Sequence, residues 1–264
     1  MALSGSAAGE RLMMSVRVKN RIVVLCGPEL HHLSTCATLI RAGLNVVGIC
    51  VADQRTAAIP FRHLTGSIRR KGIWHTISRS LARLAYLAIN SREYQLVYNR
   101  LFNQNAIEKT LRPYADRVYH TNNYARPRTL EWLRAKQPDV LVVHSSYWVA
   151  KKIRDLSAKG IVLGGLTQSN GRSHSAFWRT PQDAGCTVFL LDEEMQPADL
   201  VAREKIPVAP GDSFRTLEWK GAIRTAELQA AALKTLDDAG DLPRLRVASS
   251  PEADLKKPTL EFVR

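Results

Sequence analysis

RIVVLCGPELHHLSTCATLIRAGLNVVGICVA, residues 21–52, is the stretch that decides the fold. IVVLCG (22–27) is a short β-branched run without polar alternation, the profile of a strand covered on both faces, and it runs into Gly27-Pro28. In LHHLSTCATLIRAGL (30–44) apolar residues recur at Leu30, Leu33, Cys36, Leu39, Ile40 and Leu44, a helical spacing with a natural stop at Gly43. Asn45 then leads into VVGICVA (46–52), a second strand. Strand, helix and strand at this spacing form a βαβ unit, whose crossover is right-handed and whose strands are parallel. The Gly27-Pro28-Glu29 turn is not a G-x-G-x-x-G fingerprint, which argues against a nicotinamide cofactor.

Outward from this unit the same alternation continues. Residues 72–100 read as one or two amphipathic helices, basic on one side and apolar on the other. TLEWLRAKQ (129–137) is a helix that stops before Pro138, and DVLVVHS (139–145) is another buried strand. A basic helix is expected over 149–159 and strands over 160–166, 186–193 and 199–207. A long closing helix over 213–237 ends in an Asp-Asp-Ala-Gly cluster. This order predicts an α/β protein with a Rossmann-like, open, mostly parallel sheet, and a site at the carboxyl ends of its strands. Residues 1–20 are expected to be a disordered leader, 21–242 the domain and 243–264 a tail.

The 264 residues suffice for one α/β domain with a sizeable core. No run of about 18 apolar residues suggests a membrane span. The leader places Glu10 and Arg11 where a signal peptide needs apolar residues. Cys26, Cys36, Cys50 and Cys186 stand singly in apolar surroundings, as buried thiols of a reducing cytoplasm do. The net charge of +14 is the compositional outlier and suits a polyanionic partner, with Arg62, Arg69, Arg70, Lys71, Arg79 and Arg83 concentrated in 62–84. His31-His32 opens a helix and lacks a third ligand at metal-binding spacing, so no metal is expected.

Three further segments carry a resemblance: PDVLVVHSSYW (138–148), GIVLGGLTQSNGRSHSAFW (160–178) and GCTVFLLDEEMQPADLVAREKIPV (185–208). They resemble the folate-dependent formyltransferases, a family that includes methionyl-tRNA, glycinamide ribonucleotide and sugar N-formyltransferases. That family typically reads PD-apolar-apolar-V, then G-V-I-N-x-H-x-S-L-L-P-x-x-R-G, then G-V-T-x-x-x-x-D-E-G-x-D-x-G-x-I. The resemblance implies 10-formyltetrahydrofolate as co-substrate and a small-molecule amine as acceptor, such as a phosphorylated or nucleotide-linked amino sugar. It also implies folate contacts at Tyr147, Thr187, Asp192 and Glu193 and a substrate anchor at Arg172.

The catalytic positions depart from the family. Laid on its frame without a gap, the Asn position is Leu163, the His position is Gly165 and the Asp position is Gln196. Leu163 and Gly165 offer no side-chain donor to an oxyanion, and Gln196 cannot take a proton at neutral pH. Losing one oxyanion donor typically costs about a hundred- to a thousandfold in rate. The leading expectation is therefore a formyltransferase-type chain with impaired or absent orthodox activity. A second is an active enzyme whose site has moved to Asn170, His174 and Asp199. A third is a non-enzymatic binder of RNA or another polyanion.

Overall fold

The structure, a computed structural model, describes residues 19–53, 95–144, 149–168, 184–193 and 197–242. The opening unit forms as its spacing predicts: β1 (Ile22–Cys26), α1 (Leu30–Arg41) and β2 (Val46–Ala52). The residues after α1 turn at Gly43, whose φ of 76° is the left-handed conformation that favours glycine. Helical residues 95–101 precede α2 (Gln104–Leu111) and a 3-10 helix at Arg112–Arg117, which lead into β3 (Val118–Thr121). Then come α3 (Pro127–Lys136), β4 (Val140–His144), the single turn α4 (Lys151–Arg154) and β5 (Ile161–Gln168). β6 (Ala184–Leu191), β7 (Pro197–Lys205) and the 26-residue α5 (Phe214–Ala239) complete the described chain.

The seven strands form one sheet in the order β3-β2-β1-β4-β5-β6-β7. β1 to β5 are mutually parallel, whereas β6 runs antiparallel to β5 and β7 antiparallel to β6. The expected open, mostly parallel sheet is therefore present. The chain fills the sheet outward from β1 to β3, then returns to the middle and builds the other half from β4. The reversal point lies between β1 and β4, where crossovers leave in opposite directions and open a crevice at the carboxyl ends.

α1 and α5 cover one face, over Val24, Val142, Val162 and Val188, and α3 packs on the other, over Leu25, Leu141 and Val143. Gly221 lets α5 lie close on β5: a Cβ there would come within 1.9 Å of Leu166 Cδ2 and 2.8 Å of Ile206 Cδ1. At the amino ends the two halves are tied by polar contacts. The Arg21 amide donates to Asp139 at 2.7 Å, and the Arg21 side chain to the carbonyls of Lys136 and Gln137.

Three departures from the sequence expectations have local causes. β3 is a four-residue edge strand, half-buried and polar at two of its positions, so it lacks the apolar run of the central strands. α2 is a short helix with one fully buried residue, Ile107, capped by the Asn103 side chain. The helix expected over 149–159 is only the turn of α4, because Ser157 Oγ lies 3.0 Å from the carbonyls of both Arg154 and Gly160, shares its one proton between them and bends the chain into β5. No helix among the described residues is long and apolar enough to cross a membrane. The basic stretch 62–84, the leader up to residue 18 and the tail 243–264 lie outside the described residues.

Candidate functional site

At the reversal point β1 ends on Cys26 and β4 ends on His144, directly across the parallel pairing. β1 has no side chain to spare at its exit, because Gly27 follows. A Cβ on Gly27 would lie 2.4 Å from Glu29 Oε2 and 2.5 Å from His32 Nδ1. Glycine is thus required for α1's first turn to fold its carboxylate and imidazole back over the strand end. The Tyr124 hydroxyl donates to the Cys26 carbonyl at 2.7 Å from the other side of the sheet.

The result is a cluster of three imidazoles and a carboxylate. His32 Nδ1 is 3.0 Å from Glu29 Oε2 and 3.2 Å from the Gly27 amide nitrogen. One ring nitrogen serves only one of these partners at a time: unprotonated it accepts from the amide, protonated it donates to the carboxylate. The His32 ring lies 4.2 Å from that of His31 and 5.4 Å, edge to face, from that of His144. His144 is 8% exposed, and its Nδ1 is buried without a hydrogen-bond partner. His31 Nδ1 is 3.3 Å from the Tyr98 hydroxyl, which also accepts from the His31 amide at 3.1 Å.

Burial sets the protonation of this cluster. It pushes His31 down to about 3, aided by the neighbouring His32 and by Arg215 of α5 and opposed by Glu29. His144 is held well below the ordinary imidazole range by burial and by the two other histidines. Both rings are therefore neutral at pH 7, each with one N–H donor and one nitrogen able to accept a hydrogen bond. Among the described residues no group of three His, Cys, Asp or Glu side chains has the geometry to hold a metal ion.

The positions singled out by the resemblance sit on β5, β6 and β7. Leu163 is partly buried against the apolar layer under α3. Gly165 lies two residues further along the same face, and a Cβ there would meet nothing within 4 Å among the described residues. Thr187, fully buried, pairs with Gly165 and donates to its carbonyl at 3.5 Å. The strand face where the resembled family aims its side-chain donors is thus apolar or open here. Asp199 pairs with Leu190, and Leu190 with Val162, three positions before Gly165. Asp192 and Glu193 follow the end of β6, where Leu190 and Leu191 line a depression with Gly160. The sheet register therefore brings Gly165 and Thr187 together but places Asp192, Glu193 and Asp199 beside the start of β5. Tyr147, Asn170, Arg172, His174 and Gln196 lie outside the described residues.

No family model matches the sequence, and no curated protein does. Solved structures do match. Phosphoribosylglycinamide formyltransferase from Anaplasma phagocytophilum is similar over 84% of this chain and 89% of its own, with 10% identity and a TM-score of 0.54. Glycinamide ribonucleotide transformylase 1 from Symbiobacterium toebii is similar over 88% and 94%, with 14% identity and a TM-score of 0.54. The chain has the formyltransferase fold. A third match, phosphoribosylglycinamide formyltransferase from Bacillus halodurans, covers 83% and 96% at 13% identity and a TM-score of 0.52.

Within the formyltransferase fold the crossover cluster is what sequence reasoning missed. His31-His32 read as a helix start, and His144 as the end of an apolar run. The available signal was the pattern itself: two strands of unbroken apolar sequence, one followed by Glu and a His pair, the other terminated by His. A groove of about 660 Å³ bounded by Asp53, His120, Arg126 and Arg128 lies at the carboxyl ends of β2 and β3. Its His120, Arg126 and Arg128 are exposed, so the crossover, with its buried imidazoles, is the stronger chemical site.

Proposed function

We infer that this chain binds a formyl-folate, with 10-formyltetrahydrofolate as the natural form, together with an acceptor amine in the crevice at the carboxyl ends of β1, β4 and β5. The carrying observation is the β5 face: Leu163 is apolar, Gly165 has space beside it among the described residues and Thr187 is buried next to it. That surface suits a flat, largely apolar ring system and supplies no side-chain donor to a developing oxyanion. Transfer through the family's Asn, His and Asp positions is accordingly impaired, by about a hundred- to a thousandfold for each lost donor, though such losses do not add. A relocated trio of Asn170, His174 and Asp199 remains the alternative route to turnover. The four free, buried thiols favour a reducing compartment such as the cytoplasm.

Calorimetric titration with a non-hydrolysable 10-formyltetrahydrofolate analogue tests this reading. Micromolar binding is expected; no heat at millimolar ligand would overturn it. With the donor bound, formyl transfer abolished by His174→Ala would establish the relocated trio. Transfer that is unchanged by that substitution would remove it.

A further inference from the structure

A strand followed by a helix at a sheet reversal point ordinarily receives anions, because the free amides of the helix's first turn face the crevice. Here β1 and α1 use those donors internally. The Gly27 amide points at His32 Nδ1, and the His31 amide at the Tyr98 hydroxyl. The space beside Gly27 is filled by the Glu29 carboxylate and the His32 ring.

Two strands away, at the carboxyl ends of β2 and β3, the opposite conditions hold. The groove of about 660 Å³ there takes in the start of α3. Arg126 and Arg128 line it and are exposed, and among the described residues neither guanidinium has a hydrogen-bond or ion-pair partner. The ten-residue α3 begins without a side-chain cap and without an acid in its first turn. Pro127 has no N–H to satisfy, which leaves the amides of Arg128 and Thr129 as the open donors of that helix end. Asp53, the one carboxylate of the described lining, has an interaction of its own. Two guanidiniums and the positive end of a helix therefore outweigh a single engaged carboxylate, and the groove attracts anions.

Asn122 narrows the ligand. It lines the same groove, and its side-chain oxygen Oδ1 is buried without a hydrogen-bond partner. Leaving such an acceptor unpaired costs about 1–3 kcal/mol, so the site calls for a donor as well as an anion. A hydroxyl on the molecule that carries the anion meets both demands. A phosphate ester also suits the cationic end better than a carboxylate, because it offers three acceptor oxygens and a charge of about −1.5 to −2 at neutral pH.

We propose that this groove is a phosphate-ester subsite that takes a small phosphorylated polyol. Arg126, Arg128 and the start of α3 hold the phosphate, and a neighbouring hydroxyl donates to Asn122 Oδ1. The subsite lies two strand spacings, about 10 Å, from the β1–α1 turn. It stands apart from the formyl-folate reading and holds whether or not a folate binds.

The test follows the His120 ring, on the groove wall, by NMR in the full chain. Glycerol phosphate, glycerol, inorganic phosphate and glutarate are titrated at matched pH and ionic strength. Glycerol phosphate is expected to shift the His120 resonances saturably and to bind at least about tenfold more tightly than the other three. Arg126→Gln and Arg128→Gln, both at exposed positions, are each expected to weaken it by about tenfold, with the His144 resonances unchanged as the sign of an intact fold. Asn122→Ala is expected to bring glycerol phosphate down to the affinity of inorganic phosphate and to leave inorganic phosphate unaffected. Silence of His120 toward glycerol phosphate at tens of millimolar would overturn the proposal. So would an affinity that survives the two arginine substitutions together. Tighter binding of glutarate would assign the groove to a carboxylate instead, and equal affinities for glycerol phosphate and inorganic phosphate in the native chain would remove the hydroxyl contact and the ester class with it.

Discussion

Gly164 and Gly165 are neighbours on β5 with opposite surroundings. A Cβ on Gly164 would press within 2.3 Å of Thr225 Cγ2 and 2.7 Å of Gln229 Nε2, whereas one on Gly165 would meet nothing within 4 Å among the described residues. Gly164→Ala is therefore expected to destabilise by about 1–3 kcal/mol through overpacking. Gly165→Ala should lie within about 1 kcal/mol of the native chain, on the stabilising side, because it removes backbone entropy from the unfolded state. Urea denaturation of the two variants decides this, and equal losses would contradict the geometry. The thiols behave differently from ordinary cysteines for a related reason. Burial pushes Cys50 up to about 12, and burial together with Glu204 pushes Cys186 up to about 11. Cys26 rises well above its usual value through its contact with the Cys36 thiol, followed by burial. At pH 8 these three are expected to react with Ellman's reagent only as fast as the protein opens, which a parallel measurement of unfolding rate checks.

At the scale of elements, α5 owes its approach to β5 to one missing side chain. Gly221→Ala forces Leu166 and Ile206 aside, and the thermal midpoint should fall by several degrees, about 2–4 °C per kcal/mol for a chain of this size. No change in midpoint would mean that the helix can slide without cost. The elements show where sequence was informative. β1, β2 and β4 are continuous apolar runs buried on both faces, so their residue types leave little choice of structure. β3 and α4 were illegible because their boundaries are fixed by tertiary contacts, with β2 for the former and the Ser157 hydrogen bonds for the latter. The candidate site was half legible. The loss of donors at Leu163 and Gly165 could be read along the chain. The meeting of His32 with His144 could not, since it depends on which strands are neighbours.

For the whole molecule, the buried imidazoles make stability depend on pH. His31 is lowered from 6.5 to about 3, facing His32, Glu29 and Arg215, and His144 is lowered in the same direction beside His31 and His32. The unfolded chain therefore binds protons that the folded chain refuses. The contribution is complete above about pH 6.5 and is lost as the pH falls from there toward the folded-state values. The unfolding free energy is expected to drop between pH 7 and pH 4 by an amount on the order of 3 kcal/mol for His31 alone. His31→Gln should flatten that part of the curve, and an unchanged slope would remove His31 as its cause.

The pairing of β1 with β4 also governs the order in which the molecule can assemble. β5, β6 and β7 are joined by antiparallel pairings between successive strands, and β1 and β2 by one helix, so each set closes over a modest stretch of chain. The contact between Arg21 and Asp139, by contrast, spans 118 positions. Long-range parallel pairing is the slow part of folding because the chain entropy is lost before the contacts form. The crossover crevice exists only when the two halves have met, so anything bound there acts as a clasp across the last seam to close and the first to part.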